Sequence, residues 1–254
     1  MNPTLIFAHR GANKEAAENT RTAFEKALAY PIDGIETDVQ LTLDEVAVLW
    51  HDRWLNKVGF PDKHIDDFDY TRLQTINFAA HFDPNAPHES ILSLKEFIPS
   101  YRNRCRLLIE IKNREWELPE RHEIKVRQTL DMLGSSEGGT LVASSFNLDS
   151  LIYANRYKPG FPLVYNLEEE QTLADAARAL TDHPFLHGLC LPIANLDHAM
   201  VKLLRRNYKC IAVYTCNTDE EIGKALELGV DILISDIPQK ALQMRRAISA
   251  PQGR

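Results

Sequence analysis

Eight short apolar runs, rich in β-branched residues, alternate along this chain with segments of helical period. The runs are Leu5–Ala8, Gly34–Val39, Leu107–Lys112, Leu141–Ser145, Leu163–Asn166, Gly188–Leu191, Ile211–Thr215 and Ile232–Asp236. Between them, Ala23, Phe24, Ala27 and Leu28 share one helix face, as do Leu148, Leu151 and Ile152. Thr218 and Glu221 form a capping box before Ile222, Ala225 and Leu226, and Gly229 supplies the stop. Strands joined through helices pair in parallel, and eight such units close into a (β/α)8 TIM barrel. An open doubly wound sheet is the alternative, but no Gly-rich dinucleotide turn follows the first run.

A ninth run breaks the rhythm. Val46–Trp50 follows Val39–Thr42 after only a few turn residues, too few for a parallel crossover. The two runs must therefore form an antiparallel hairpin, which folds about Asp44–Glu45 and returns His51 beside Asp38. Residues from about 53 to 90 fit no βα unit. Polar, aromatic and punctuated by Pro61, Pro84 and Pro87, they read as a small inserted subdomain beside the barrel mouth. The 254 residues suit one barrel domain spanning residues 1–254, with the tail after about Arg246 expected to fray.

Composition narrows the function. A net charge of −7 argues against nucleic acid as a partner, since coating a phosphate backbone needs clustered Lys and Arg. A local pocket can still bind a small anion on an acidic protein. The four cysteines lack CxxC spacing and read as reduced thiols. The first residues lack a basic n-region, and no run reaches the length of a membrane span. The expectation is a cytoplasmic protein, with assembly into a homo-oligomer left open.

Several polar groups fall at the C-terminal ends of the strands, where barrel active sites are built. His9-Arg10-Gly11 ends the first strand and Glu18-Asn19-Thr20 begins the first helix. Alone, these read equally as a loop in which Asn19 is an N-cap. Glu36 and Asp38 are two apart on one strand and so share a face. Two carboxylates in an apolar barrel are costly unless a cation joins them, and oxygen-only ligands suit Mg²⁺ or Ca²⁺. Glu110 and Lys112 repeat the spacing and could be a buried ion pair alone. Beside Glu36 and Asp38, Glu110 completes a three-carboxylate site and Lys112 becomes a point charge for phosphate. His9 and His51 could divide general acid and base work. His64, His81, His88, His122, His183, His187 and His198 read as ordinary loop histidines.

Taken in order, His9-Arg10-Gly11, Glu18-Asn19-Thr20, Glu36-Thr37-Asp38-Val39, His51-Asp52, Glu110-Ile111-Lys112, Ser145-Phe146 and Ile234-Ser235-Asp236 resemble the glycerophosphodiester phosphodiesterase family over residues 5–238. The resemblance implies Glu36, Asp38 and Glu110 as metal ligands, His9 and His51 as the acid/base pair, and Arg10 and Lys112 as phosphate ligands. It implies hydrolysis of a glycerophosphodiester to an alcohol and sn-glycerol 3-phosphate. Where the family commonly has tryptophan near the seventh strand's end, this chain has Tyr214, which would pack against the substrate alcohol. A phospholipase acting on intact lipid, of the related sphingomyelinase D type, is the rival enzyme. It would favour an apolar or basic rim and usually secretion, and the sequence has neither a signal peptide nor a basic run. A non-catalytic phosphate-binding barrel is the rival from another class, and retention of His9 and His51 speaks against it.

Overall fold

A computed structural model describes residues 3–113, 117–136 and 140–249 of the protein. Its strands are β1 (Leu5–His9), β2 (Gly34–Leu41), β3 (Ala47–Leu49), β4 (Arg106–Ile111), β5 (Leu141–Ser145), β6 (Leu163–Asn166), β7 (Gly188–Pro192), β8 (Cys210–Tyr214) and β9 (Ile232–Ser235). The order β1-β9-β8-β7-β6-β5-β4-β2 closes through a β1–β2 pairing, and all eight of these strands run parallel. This is the (β/α)8 barrel expected from the alternation. β3 stands outside it, antiparallel to the end of β2, with Val39 opposite Leu49.

The helices are α1 (Arg21–Leu28), α2 (Tyr70–Leu73), α3 (Leu94–Tyr101), α4 (Pro119–Leu133), α5 (Leu148–Tyr157), α6 (Leu173–Asp182), α7 (His198–Arg206), α8 (Asp219–Glu227) and α9 (Pro238–Ser249). The capping box at α8 forms as its sequence requires, with Thr218 accepting from the Glu221 amide. Ser93 and Glu96 make another at the start of α3. α9 keeps its helical hydrogen bonding beyond Arg246, the point where fraying was expected, and residues 250–254 lie outside the described residues. The helices bury one face against the barrel. Phe24 of α1 meets Phe97 and Tyr101 of α3, with ring centroids 4.7 and 5.4 Å away.

Alternate residues on each barrel strand point inward. Phe7, Leu108, Val142, Val164, Ala212 and Ile234 fill the lower interior. Gly34 joins them because a Cβ there would lie 2.4 Å from the Phe7 ring. Two residues farther along, the same faces carry His9, Glu110, Ser144, Asn166, Tyr214 and Asp236. One layer thus separates an apolar plug from a polar mouth. Between β3 and α3 the chain makes short helical turns around a separate apolar cluster that includes Trp50, Leu55, Ile65, Leu73 and Phe78.

Candidate active site

The mouth encloses a cavity of about 200 Å³. His9, Arg10, Glu36, His51, Glu110, Lys112 and Tyr214 all line it. Asp38 lies fully buried just behind them.

β1 delivers His9, and the chain then turns through two left-handed residues, Arg10 (φ 58°) and Gly11 (φ 84°). Gly11 cannot be replaced cheaply, since a Cβ would sit 2.7 Å from the Ala23 backbone of α1. The turn keeps the Arg10 amide on the Glu36 carbonyl at 2.9 Å and swings its guanidinium over Asp38, Nε to Oδ2 3.0 Å. Asn19 is not the helix cap, because the Thr20 hydroxyl accepts from the Ala23 amide. Asn19 instead donates to Asp38 at 3.1 Å and accepts from the Thr37 hydroxyl at 2.7 Å. A left-handed backbone (φ 57°) lets it reach both.

The three carboxylates converge. Asp38 and Glu110 are direct partners across β2 and β4, and one oxygen from each of Glu36, Asp38 and Glu110 falls within 4.8 Å of the others. Lys112 forms ion pairs with Asp38, at 3.0 Å, and with Glu110. Glu36 is different. Asp38 and Glu110 are each ion-paired with a cation, whereas among the described residues the buried Glu36 Oε2 has only His9 Nε2 near it, at 3.9 Å.

The electrostatics follow from this asymmetry. Burial and the adjacent Asp38 push the Glu36 carboxyl well above the usual range, with Arg10 opposing them. Burial would raise Asp38 too, but Lys112, Arg10 and His51 outweigh it and hold Asp38 well below that range. Lys112 stays charged because Asp38 and Glu110 overcome its burial. Three carboxylates face two cations, and Glu36 is the one that neither cation pairs, so it is the one whose ionisation is disfavoured. Oxygen donors alone, crowded and one charge in excess, fit a hard divalent cation.

Each histidine is held at Nδ1 by a carboxylate. His9 meets Asp236 at 2.6 Å, and Asn13, Asn217 and Lys14 hold Asp236 in turn. Burial, reinforced by Arg10, lowers the His9 pKa despite Asp236. His51 meets Asp52 at 2.9 Å. The hairpin brings it there through the Trp50 amide, which bonds the Asp38 carbonyl at 3.2 Å. Glu18, His51 and Asp52 form a second acidic cluster, already bridged by Lys57 at 2.5 Å to Glu18 and 2.9 Å to Asp52. Glu18 also grips Arg10 at 2.9 Å. Tyr214 turns its hydroxyl away, onto the Leu167 carbonyl at 2.5 Å, and offers its ring beside Phe146.

Sequence reasoning assigned no task to Asp236, Asp52, Lys57 or Asn166. The first was legible, being two residues beyond inward-facing Ile234. Lys57 was not, because no periodicity links a helical turn in the insertion to the barrel. Among the described residues, none of the other histidines lines the cavity. His64 stacks on Trp54 and His198 opens α7.

The sequence profile of the Glycerophosphoryl diester phosphodiesterase family matches residues 9–240. A glycerophosphodiester phosphodiesterase of Bacillus altitudinis is 29% identical, with 95% of this chain and 98% of that protein covered. One of Caldanaerobacter subterraneus is 28% identical, covering 96% and 98%. Among solved structures, a phosphodiesterase of Oleispira antarctica in complex with the product sn-glycerol-3-phosphate superposes with a TM-score of 0.85. It is 25% identical, and 98% of each chain is covered.

Proposed function

Since the chain belongs to the Glycerophosphoryl diester phosphodiesterase family and is a phosphodiesterase of that type, we propose that it hydrolyses glycerophosphodiesters by metal-dependent, two-histidine catalysis at this cavity. The observation that carries the reading is the buried Glu36–Asp38–Glu110 triad, one charge in excess, flanked by two histidines and two cations.

Glu36, Asp38 and Glu110 would hold Mg²⁺ or Ca²⁺. When bound, such a cation supplies an anchor for the diester oxygens and offsets charge developing at phosphorus. Arg10 and Lys112 share that task with fixed positive charge at the same wall. A carboxylate on each Nδ1 keeps the ring proton there and directs proton exchange to Nε2. The lowered pKa of His9 keeps it neutral near pH 7, which equips it to accept the proton of the attacking oxygen. His51, oriented at Nδ1 by Asp52, is then the donor to the departing alkoxide. The free state of all four cysteines suits a reducing compartment, so the cytoplasm is the location that belongs to this reading. Among the described residues, no helix is long and apolar enough to cross a membrane.

The test is purified protein with glycerophosphocholine, with sn-glycerol 3-phosphate and choline followed separately. Release of both, abolished by chelator and restored by Mg²⁺ or Ca²⁺, is the expected result. Turnover that survives exhaustive chelation would remove the metal from the mechanism.

A further inference from the structure

The cavity has two unlike halves. The ends of β1, β2 and β4 and of the β2–β3 hairpin contribute the carboxylates, cations and histidines that line it, whereas the ends of β5 to β8 contribute Phe146, Asn166, Cys190, Tyr214 and Thr215. In the neutral half, Asn166 ends β6 on the inward face, two residues beyond Val164. It is 4% exposed and lines the cavity. Its Nδ2 has a long contact of 3.4 Å to the Ser144 hydroxyl, and its Oδ1 has no partner at all. Turning the amide over only exchanges which atom is left, so one polar atom lacks a partner in either orientation. Leaving such a group buried is costly unless a ligand satisfies it.

We infer that Asn166 is a specificity-determining residue that binds a free hydroxyl of the substrate's glycerol moiety. It rests on the diester-hydrolysis reading of the same cavity. A hydroxyl both donates and accepts, so it satisfies the amide in either orientation, as neither an ammonium nor a carboxylate does. The surroundings also favour a small polyol over a cationic head group. Phe146 and Tyr214 meet edge to face at 5.9 Å and wall the pocket with C–H and ring surface. The Tyr214 hydroxyl is engaged by Leu167, so it does not compete for the ligand. The Phe146 ring already carries the Lys112 ammonium 5.7 Å from its centroid, which disfavours a second cation there. β4 and β6 are two strand spacings apart, about 10 Å, a gap that phosphate at Lys112 and a three-carbon chain reaching towards Asn166 can span. The hydroxyl farther from phosphorus is therefore the one assigned to Asn166.

The experiment compares glycerophosphocholine with its analogue lacking that terminal hydroxyl, in wild type and in Asn166→Leu. It also titrates sn-glycerol 3-phosphate and 1,2-propanediol 1-phosphate by calorimetry. Wild type should prefer the hydroxylated member by about 10- to 100-fold in kcat/KM and in Kd. Asn166→Leu should bring both ratios close to one by losing affinity for the hydroxylated member. Asn166→Ser, smaller and still polar, serves if leucine prevents folding, and should narrow the ratios partly. Equal handling of the two members by wild type, or ratios unchanged in the variants, would overturn the assignment. If wild type turns over no glycerophosphodiester, the functional reading falls. The calorimetric ratio still decides the subsite, since discrimination by hydroxyl supports it and equal or undetectable binding refutes it.

Discussion

At Glu36 stability and the proposed role as a metal ligand oppose each other. Its folded pKa is raised, so its ionisation costs stability as pH rises from the unfolded value of about 4.3 through the folded one. Glu36→Gln removes that cost. In metal-free protein near pH 7 the variant should melt at the same temperature or higher, yet lose divalent-ion binding by calorimetry and at least about 10²-fold in turnover. A variant with full turnover would refute the ligand assignment. The histidines make a different prediction. His9→Ala and His51→Ala should each lower kcat by roughly 10²–10⁴-fold with little change in KM. His198→Ala, at the start of α7 and outside the cavity lining, should leave both constants unaltered. Near-normal turnover in His51→Ala would remove it from the acid/base pair.

Elements set the precision with which those residues meet. The β2–β3 hairpin carries His51 to the mouth, and the helical turn Asn56–Val58 then reaches back with Lys57. The Lys57 ammonium ties Asp52, which holds His51, to Glu18, which holds Arg10, and packs 4.4 Å over the Trp50 ring. Lys57→Met should reduce kcat/KM roughly 10-fold by loosening both supports, and Lys57→Arg should recover much of the loss. Equal activity in wild type and Lys57→Met would show that the bridge is dispensable. The end of β9 offers a pH test. Burial would raise the Asp236 pKa, but His9, Asn13 and Lys14 outweigh it and hold it low. A depressed carboxylate stabilises the fold above its unfolded pKa, and that contribution is lost as pH falls through the folded value. The gap in melting temperature between wild type and Asp236→Asn should therefore be widest above about pH 5 and close on acidification. A gap independent of pH would argue that only packing is lost.

For the whole molecule, the barrel divides labour by layer. The shell between helices and strands supplies stability, and the mouth is exempt from optimal packing. Phe24 is buried between Phe97 and Tyr101, so Phe24→Ala should cost about 3–5 kcal/mol in urea unfolding. Activity per folded molecule should stay near normal, because no ring of that cluster touches the cavity. A loss of turnover without a loss of stability would contradict the division.

The period of the apolar runs was enough to determined eight parallel units, and hence the barrel, because strand and helix repeats are local properties of the chain. The i, i+2 spacing put Glu36 with Asp38 and Glu110 with Lys112 on shared faces for the same reason. The hairpin was forced by a connection too short to cross over. Tertiary structure alone decided which side chains complete one another across distant segments. Asn19 became a support for Asp38 rather than a cap because the turn at Arg10 and Gly11 carries it there. Asp236 found His9 only when β9 closed against β1. Lys57 found Asp52 and Glu18 through an insertion whose path no repeat encodes. Asn166 showed its unpartnered amide only once the neutral half of the cavity was built around it. Local periodicity is written in the sequence, whereas partners from separate segments, whether 19 or 227 residues apart, are set by how the barrel closes and the loops fold over its mouth.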